Sequence, residues 1–555
     1  MKSNFRISMA WLHTWAGVVL GALLFVIFWM GSLAVFDREI DRWMMPMTRL
    51  HAAQRQPPAS LDRDIRPILE SRIDDATAWS ILLPTERNPF FLLQYGDEGR
   101  KPVRLRVDPQ TLRELPDAQT LGATRFIHPF HYNLTLRYQS IGAWLVGFAG
   151  MAMLCLLVSG VVIHRKIFKE FFTFRPKKNF QRSTLDLHNL TGVLVLPFHL
   201  LITLSGLLVA FALYLPFAHQ ALYPETAAAA RPRAADADRA APRAARAEPP
   251  QRAFLREALG QVRRPRSDAP GVLGSLDAIV ARAEAIWKTQ KVASVRVNAP
   301  HSARPYVVVR PSATDSVSKD IDTLTFDGGT GALIGRFDAS PVVSVWNFFA
   351  GFHITPFDHW LLRWLYFAAG LSGCVMIATG YLFWLQARRA SHARKGLAGV
   401  QLVEALSIGS ITGPILATLA FFIANRLLPL GFEHWGLERA QWETRAFFIV
   451  WCLAIAHAAG RCARHRGTAH KQAWREQCWA IAGMAVLACV LNGATTGDYL
   501  WTSIAHGYWP VAGMDLVLLL GAALAAFTAR RLGRTPIPRP APRTPAARQE
   551  GHAHA

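Results

Sequence analysis

The chain has 555 residues, of which 51% are hydrophobic and only 18% are charged. Soluble domains carry about a quarter of their residues as charged side chains. Here the apolar residues gather in blocks of about 20 or more, which is long enough to cross a bilayer core of about 30 Å. This composition excludes the disordered, collagen-like and disulfide-scaffold classes, and a purely cytosolic enzyme. The net charge of +23 does not indicate nucleic-acid binding, because no basic patch is interleaved with aromatic residues on a soluble module.

The hydrophobic blocks predict eight membrane spans. In chain order they cover 9–36, 141–164, 188–215, 360–386, 405–429, 445–462, 477–497 and 511–530. The first block is too long for a signal-peptide core and lacks a small-residue cleavage site, so it is interpreted as a span. The fifth is the least regular, because Gly413-Pro414 is expected to interrupt it.

Lys and Arg residues are concentrated on one side of these spans. They lie at the N-terminus, in the loops after spans 2, 4 and 6, and in the tail after span 8. Such residues stay in the cytoplasm during insertion. The distribution therefore predicts a multi-pass protein of the bacterial inner membrane with both termini cytoplasmic and two long segments in the periplasm.

Each of the two long polar segments carries a similar α+β pattern. Helices are predicted at 61–72 and 276–290, and strands at 90–95, 103–107, 292–297 and 306–310. The fold class is therefore a multi-span α-helical membrane protein with two small periplasmic α+β modules. The predicted regions are a first transmembrane helix 1–36, a periplasmic module 37–140, helices 2–3 with a basic cytoplasmic loop 141–215, a second module 216–359 with an Ala/Arg/Pro linker 225–250, helix 4 at 360–386, a C-terminal four-helix membrane region 387–532 and a disordered cytoplasmic tail 533–555.

The first four spans contain a tandem repeat. His13 in span 1 aligns without gaps with His188 in span 3, and His131 before span 2 corresponds to His353 before span 4. Glycines repeat with them, as Gly17 and Gly192, Gly31 and Gly206, Gly150 and Gly370, and Gly160 and Gly380. Spans 1 and 3 run in the same direction, so the repeat is parallel, with its pseudo-two-fold axis along the membrane normal.

This symmetry predicts two histidine pairs. His13 and His188 should lie at one depth on opposite sides of the axis, and His131 and His353 near the periplasmic face. Two facing imidazoles can supply both axial ligands of a haem iron, and glycines leave room for a flat macrocycle or for close helix packing. A single histidine at a span end is usually an interfacial polar residue, but two symmetric pairs favour ligation. Two haem groups are expected.

Two further histidines have no partner in the repeat. His199 lies 11 residues after His188 on the same helix face, and His164 ends span 2. Either could replace a ligand, donate to a haem propionate, or be a satisfied polar residue in the bundle.

Several fingerprints are missing from the sequence. No GxGxxG follows a strand, so no nicotinamide or flavin site is expected, and no Walker A, GxSxG or HExxH motif is present. The six cysteines have no metal-site spacing. Electrons must therefore reach the chain from a membrane quinol or a separate reductase, and no catalytic acid–base or nucleophilic residue can be named.

The histidine motifs resemble those of a known family, the PepSY-associated transmembrane proteins, often labelled iron-regulated membrane proteins. The matching residues are Leu12-His13-x-Trp15-x-Gly17, Asp186-Leu187-His188-Asn189-x-Thr191-Gly192, Pro197-Phe198-His199, Ser159-Gly160 and Ser205-Gly206. The resemblance covers about residues 8–390. It implies that the outside modules are PepSY domains. Some relatives are inner-membrane ferric-siderophore reductases that bind haem b, which implies a haem-dependent reductase here.

Three functions fit these observations. The leading one is an electron carrier that reduces a periplasmic ferric siderophore and releases Fe(II) for iron uptake. The second is a membrane-anchored regulator or inhibitor of a periplasmic peptidase, and the third is a permease for a chelate or haem. The histidine pairs favour the first, because an anchor needs no intramembrane histidines and a permease would more often show broken spans around a midplane cavity.

Overall fold

In a computed structural model the chain is mostly helical. The structure describes residues 3–50, 59–72, 77–96, 102–164, 175, 180–214, 221, 254, 257, 264, 267, 269–314, 316–319, 322–337, 339–395, 399–464 and 469–534. The predicted linker 225–250 and all but the first two residues of the predicted tail 533–555 lie outside the described residues.

The helices follow one another along the chain with short connections inside the membrane region. In order they are α1 (Ser3–Ala34), α2 (Asp37–Met44), α3 (Arg66–Glu70), α4 (His128–Asn133), α5 (Ile141–Ile163), α6 (Phe180–Leu194), α7 (Leu196–Val209), α8 (Phe211–Tyr214), α9 (Leu276–Trp287), α10 (Pro341–Ile354), α11 (Trp360–Arg394), α12 (Gly399–Leu427), α13 (Arg439–Arg464), α14 (Ala469–Thr496), α15 (Leu500–Ala505) and α16 (Trp509–Arg534). Short 3-10 or π turns cover Pro46–Thr48, Leu61–Ile65, Ala123–Ile127 and Tyr138–Ser140. Within the described ranges, seven helices are long and apolar enough to cross a membrane.

An eighth span is present if α6 and α7 count as one bent helix. The two segments meet at Val195 with a bend of 62°. Pro197 lies in the first turn of α7, where it lacks an N–H and its ring conflicts with the preceding helical turn.

The break expected at Gly413-Pro414 does not occur there. That prediction was wrong: α12 runs continuously through Pro414. The helix is almost entirely buried among its neighbours, and the Trp451 ring lies against Gly413. Surrounding helices can hold a proline-containing membrane helix together in this way.

The two polar segments together form one sheet of seven antiparallel strands. The strands are β1 (Ala78–Leu82), β2 (Phe91–Gly96), β3 (Val103–Val107), β4 (Val292–Asn298), β5 (Tyr306–Pro311), β6 (Leu324–Asp327) and β7 (Leu333–Arg336). Their order is β3-β2-β1-β4-β5-β6-β7, so β1 of the first segment pairs with β4 of the second. One core of buried side chains, including Ile65, Ile81, Ile279 and Val295, runs through both segments.

The helices of the two segments exchange their N-terminal caps. The Asp62 carboxylate accepts from the backbone N–H of Leu276 (2.9 Å) and from the Ser275 hydroxyl (2.6 Å) at the start of α9. Reciprocally, the Asp277 carboxylate accepts from the N–H of Leu61 (2.8 Å) and from the Ser60 hydroxyl. Each segment thus satisfies backbone donors that the other segment's helix leaves open.

The C-terminal helices α12, α13, α14 and α16 pack on one another and against α1, α2 and α11. A buried polar network connects α2 to this bundle: the Trp43 indole donates to Asp515 (2.8 Å), and Arg49 pairs with Asp498 at 2.6 Å. Removing one partner of such a buried network leaves the other unsatisfied, so the network fixes the C-terminal bundle against the first half of the chain.

Candidate functional site

The structure brings His13 and His188 together, with ring centroids 6.3 Å apart and ring planes at 81°. His13 Nδ1 is 3.0 Å from the carbonyl oxygen of Leu156, and His188 Nδ1 is 2.8 Å from that of Met376. A carbonyl only accepts, so each Nδ1 carries the proton and donates it. Each Nε2 therefore keeps its lone pair for a ligand. We call these two histidines the inner pair.

His131 and His353 form a second pair, with centroids 5.9 Å apart and ring planes at 22°. His131 Nδ1 donates to the carbonyl of Ile27 and His353 Nδ1 to that of Ile202, both at 2.9 Å. We call these the outer pair. All four histidines thus expose Nε2 in the same tautomer, which a hydrogen bond from Nδ1 to an acceptor usually fixes in metal-ligating histidines.

A glycine accompanies each of the four rings. The carbonyl that accepts from Nδ1 belongs in every case to the residue four positions before that glycine: Ile27 before Gly31, Leu156 before Gly160, Ile202 before Gly206 and Met376 before Gly380. A Cβ at Gly31 or Gly206 would lie 2.6 or 2.7 Å from Cε1 of the outer rings, and one at Gly160 or Gly380 would lie 3.2 or 3.3 Å from the inner rings. The repeated glycines therefore make room for imidazoles against the helix backbone.

Serines strengthen two of the four contacts. Ser159 Oγ lies 3.1 Å from His13 Nδ1, and Ser205 Oγ lies 3.2 Å from His353 Nδ1. Each of these serines immediately precedes a glycine that lies against a histidine ring. The Ser-Gly dipeptides of the sequence thus contact one histidine of each pair.

The separations within the pairs fit two imidazoles on one iron. Two imidazoles that shared one iron through bonds of about 2 Å, with about 1.1 Å from each nitrogen to its ring centre, would have centroids about 6 Å apart. The observed 6.3 and 5.9 Å agree with that value. Within the described residues no group of three or more His, Cys, Asp or Glu side chains is placed to hold a bare metal ion. The donor sets therefore suit a cofactor that brings its own equatorial ligands.

A cavity of about 530 Å³ adjoins the inner pair and is lined by both of its histidines. This volume is in the range of cofactor pockets. Four glycines related by the repeat line it as well: Gly17, Gly160, Gly192 and Gly380. Arg182 and Arg388 also belong to the lining. Arg182 pairs with Asp186 at 3.2 Å, and the Arg388 guanidinium lies over the Trp384 ring. The cavity is otherwise mostly apolar.

The two unpaired histidines lie in different surroundings. His164, the residue that follows α5, lines the inner cavity. Among the described residues its ring does not pack on either ring of the inner pair. His199 is fully buried; its Nε2 contacts the Ala369 carbonyl at 3.2 Å, and its ring meets the edge of Phe28. Its Nδ1 has no hydrogen-bond partner among the described residues.

An ionic cluster surrounds the helix that carries His131. Asp37, at the start of α2, accepts from His128 Nδ1 at 2.9 Å, and Glu39 pairs with Arg87 at 2.7 Å. Burial alone would raise the pKa of Asp37, but the hydrogen bond from His128 and the charge of Arg87 outweigh it and lower that pKa. These bonds tie α2, α4 and the loop before β2 together, and so hold the outer pair's supporting helix in place.

The two pairs are separated along the bundle. In α1, Ile27 lies fourteen positions after His13 of the inner pair, and its carbonyl holds one ring of the outer pair. At 1.5 Å per residue this corresponds to about 21 Å. This separation is about two thirds of the thickness of a bilayer core of about 30 Å.

Sequence reasoning identified the four histidines and the glycines but missed the four carbonyls. Every residue has a backbone carbonyl, so the type of residue does not indicate which carbonyls accept a hydrogen bond. Only the constant distance from carbonyl to glycine, visible once the helices are packed, could have indicated them.

The fold and the site define a multi-span helical membrane protein with two symmetric pairs of backbone-anchored histidines. The chain belongs to the family described as the PepSY-associated TM region, whose model matches residues 10–387. It is also similar to a protein of Pseudomonas aeruginosa described only as uncharacterized. The two are 26% identical over 432 residues, which cover 72% of this chain and 93% of that relative.

Proposed function

We propose that this protein is a haem-containing electron carrier of the bacterial inner membrane that reduces a periplasmic ferric siderophore and so releases Fe(II) for iron uptake. The observation that carries the proposal is the common geometry of the four histidines. Each donates from Nδ1 to a helix carbonyl beside a glycine, and each faces a second imidazole at a centroid distance of 5.9 or 6.3 Å. Neither a peptidase regulator nor a membrane anchor needs such pairs.

The proposal assigns the chain's residues as follows. His13 with His188 and His131 with His353 would each hold one haem b, which supplies a one-electron redox couple when bound. The Nδ1 hydrogen bonds orient the rings and raise the basicity of Nε2. The apolar lining of the inner cavity suits a hydrophobic macrocycle, and Arg388 in its wall favours carboxylates at that end.

The direction of transfer follows from the Lys/Arg distribution, which favours cytoplasmic termini and an outer pair near the periplasm. The joined sheet, formed by the two segments interpreted as PepSY modules, would then lie in the periplasm beside the acceptor. Fe(III) in a siderophore is held by hard oxygen donors, so its reduction weakens the complex and releases the metal.

The experiment uses the full chain in detergent. We expect a b-type absorbance spectrum, and reoxidation of the dithionite-reduced protein by ferric hydroxamate, catecholate or carboxylate siderophores, with Fe(II) captured by a ferrous chelator. His131→Ala should slow reoxidation by the siderophore far more than reduction from the donor side. A colourless protein, or one that siderophores leave reduced, would exclude this function.

The bend between α6 and α7 favours a second candidate, a permease for a chelate or haem, because broken helices are common at transport sites. The two functions predict different behaviour in sealed vesicles. A permease accumulates the intact labelled chelate without any redox partner, whereas the proposed reductase releases Fe(II) and leaves the ligand outside.

A further inference from the structure

A polar cluster lies between two helices of the C-terminal bundle and includes none of the four paired histidines. His457 Nε2 is 2.8 Å from Glu476 Oε2, and Arg461 Nε is 3.0 Å from the same oxygen. His457 Nδ1 accepts from the side-chain amide of Gln477 at 3.1 Å, which places the histidine proton on Nε2, facing the carboxylate. We call His457, Arg461, Glu476 and Gln477 the α13–α14 cluster.

The cluster lies near one end of two candidate membrane spans. His457 is six residues before the end of its helix span at Ala463, and Glu476 is five residues after the start of the next at Lys471, or about 8–9 Å of helix.

The cluster is open to the outside of the bundle. The side chains of His457 and Glu476 are 36% and 39% exposed. The apolar residues Leu453 and Trp479 on the same two helices are exposed as well. A hydrophobic molecule in the bilayer could therefore reach the carboxylate.

Packing connects α13 and α14, the helices that carry the cluster, to the inner cavity. Trp474 of α14 packs against two groups of buried residues. One contains Ala458 and Cys462 of α13, beside His457, and the other contains Tyr381 and Trp384, which line the cavity of the inner pair. The helices that carry the cluster thus pack, through Trp474, on the residues that line the cavity, and the cluster lies at the same end of the bundle as the inner pair.

From this arrangement we infer that the α13–α14 cluster is the oxidation site for a membrane quinol, the electron donor of the protein. The inference rests on the proposed function, since the inner pair must hold a one-electron acceptor. The quinol gives up two electrons, one at a time, to the ferric cofactor at the inner pair, and becomes the quinone. Its two hydroxyl protons pass in turn to the Glu476 carboxylate and then to water at that end of the bundle. His457 and Arg461 position the carboxylate by hydrogen bonding.

The site is mapped with an azido-quinone that becomes covalently attached on illumination, applied to the full chain prepared with and without haem. Peptides from 453–479 should be labelled in both preparations, and Glu476→Gln should reduce the labelling at least about fivefold. Excess unlabelled decylubiquinone should protect these peptides. Labelling confined to other helices, or labelling that decylubiquinone does not reduce, would overturn the inference without bearing on the siderophore chemistry.

Kinetics supply the second readout. Decylubiquinol should reduce the haem of the Glu476→Gln variant about a hundredfold more slowly than that of the wild type, as expected when a base is removed. Glu476→Asp should recover part of the rate. Reduction by dithionite and reoxidation by siderophore should not change. The matched control is Glu404→Gln, because Glu404 also pairs with an arginine, Arg389, at the same end of the bundle but is buried.

The outcomes separate the two proposals. If the variant keeps the wild-type rate with decylubiquinol, or if only a soluble reductase reduces the protein, the donor site is wrong while the siderophore reductase stands. If the protein binds no haem or siderophores do not reoxidise it, the proposed function is wrong whatever the quinone labels.

Discussion

The two repeat units, α1–α5 and α6–α11, hold their histidines by the same local device but differ in shape. In the first unit α1 runs straight past both sites, whereas in the second the equivalent path bends by 62° at Val195. His13 and His188 nevertheless each lie fourteen residues before the isoleucine whose carbonyl supports the outer pair. The contact among ring, carbonyl and glycine is therefore shared by both units, while the path of the helix between the two sites is not.

The difference between the units is concentrated at one position. His199 fills the region after the bend, where the first unit has Leu24 in a continuous helix. Its Nε2 contacts the Ala369 carbonyl and lies 3.4 Å from Ser372 Oγ, both in α11. His199 thus contacts α11 at the bend, and its ring lies outside the two pairs.

The largest effect is expected from substitutions that break one of the two histidine pairs. Because each pair takes one histidine from each unit, His13→Ala and His188→Ala should each remove about one haem of two, and the double variant should remove no more. Haem per chain, measured as the pyridine complex, tests this. The matched control is the double variant His131→Ala/His353→Ala, which should lose the other haem. Full haem retention in the His13→Ala/His188→Ala protein would contradict the inner pair.

Glycine substitutions distinguish the inner from the outer pair. Gly31→Ala and Gly206→Ala place a methyl group 2.6–2.7 Å from an outer ring, so overpacking of about 1–3 kcal/mol should displace the ring and lower haem occupancy at that site. Gly160→Ala and Gly380→Ala place the methyl group 3.2–3.3 Å from an inner ring, so the loss of haem should be smaller. Occupancy measured by absorbance should rank the four variants in this order. Equal losses at all four positions would mean that ring contact does not set occupancy.

The exchanged helix caps test how firmly the units are joined outside the membrane. Asp62→Ala should destabilise the start of α9 by about 1 kcal/mol, and Asp277→Ala the turn at Leu61–Ile65 by a similar amount. Hydrogen–deuterium exchange of the full chain should show about fivefold faster exchange in the helix of the opposite segment. Faster exchange confined to the mutated segment would contradict the cross-unit cap.

The same caps give a pH dependence. Burial raises the pKa of Asp62, but hydrogen bonds from Ser275, Leu276 and Asp277 outweigh it, so the folded pKa lies below the ordinary value of 3.8. Stability from this carboxylate is therefore present above that ordinary value and is lost as the pH falls through the lower folded value. The protection factor at the start of α9, which corrects the exchange rate for its intrinsic pH dependence, should fall on acidification in the wild type and respond less in Asp62→Ala.

The smallest effect is expected at His199. His199→Leu introduces the residue that the first unit has at this position. It removes one hydrogen bond, worth about 0.5–1.5 kcal/mol, together with a buried nitrogen that has no partner among the described residues. Both haems should remain, with little change in the melting temperature. Loss of a haem would instead make His199 a ligand, and the pairing of the histidines would need revision.

The sequence by itself determined the features that depend on residue type and spacing. Apolar length predicted a multi-span helical membrane protein, which the seven candidate spans confirm, and the histidine and glycine motifs identified the family, which the match to residues 10–387 confirms. Strand periodicity placed β3, as well as β2, β4 and β5 to within one residue. It missed β1, β6 and β7.

Only the tertiary structure decided how these parts meet. The pairing of β1 with β4 joins two segments that the sequence treats as separate modules, and pairing between distant strands depends on edges that local patterns do not specify. The bend fell at Val195 and not at Gly413-Pro414, because the helices packed around a proline decide whether it breaks a span. The four carbonyls that hold the histidines are backbone groups present at every residue, so only the packed helices could select them.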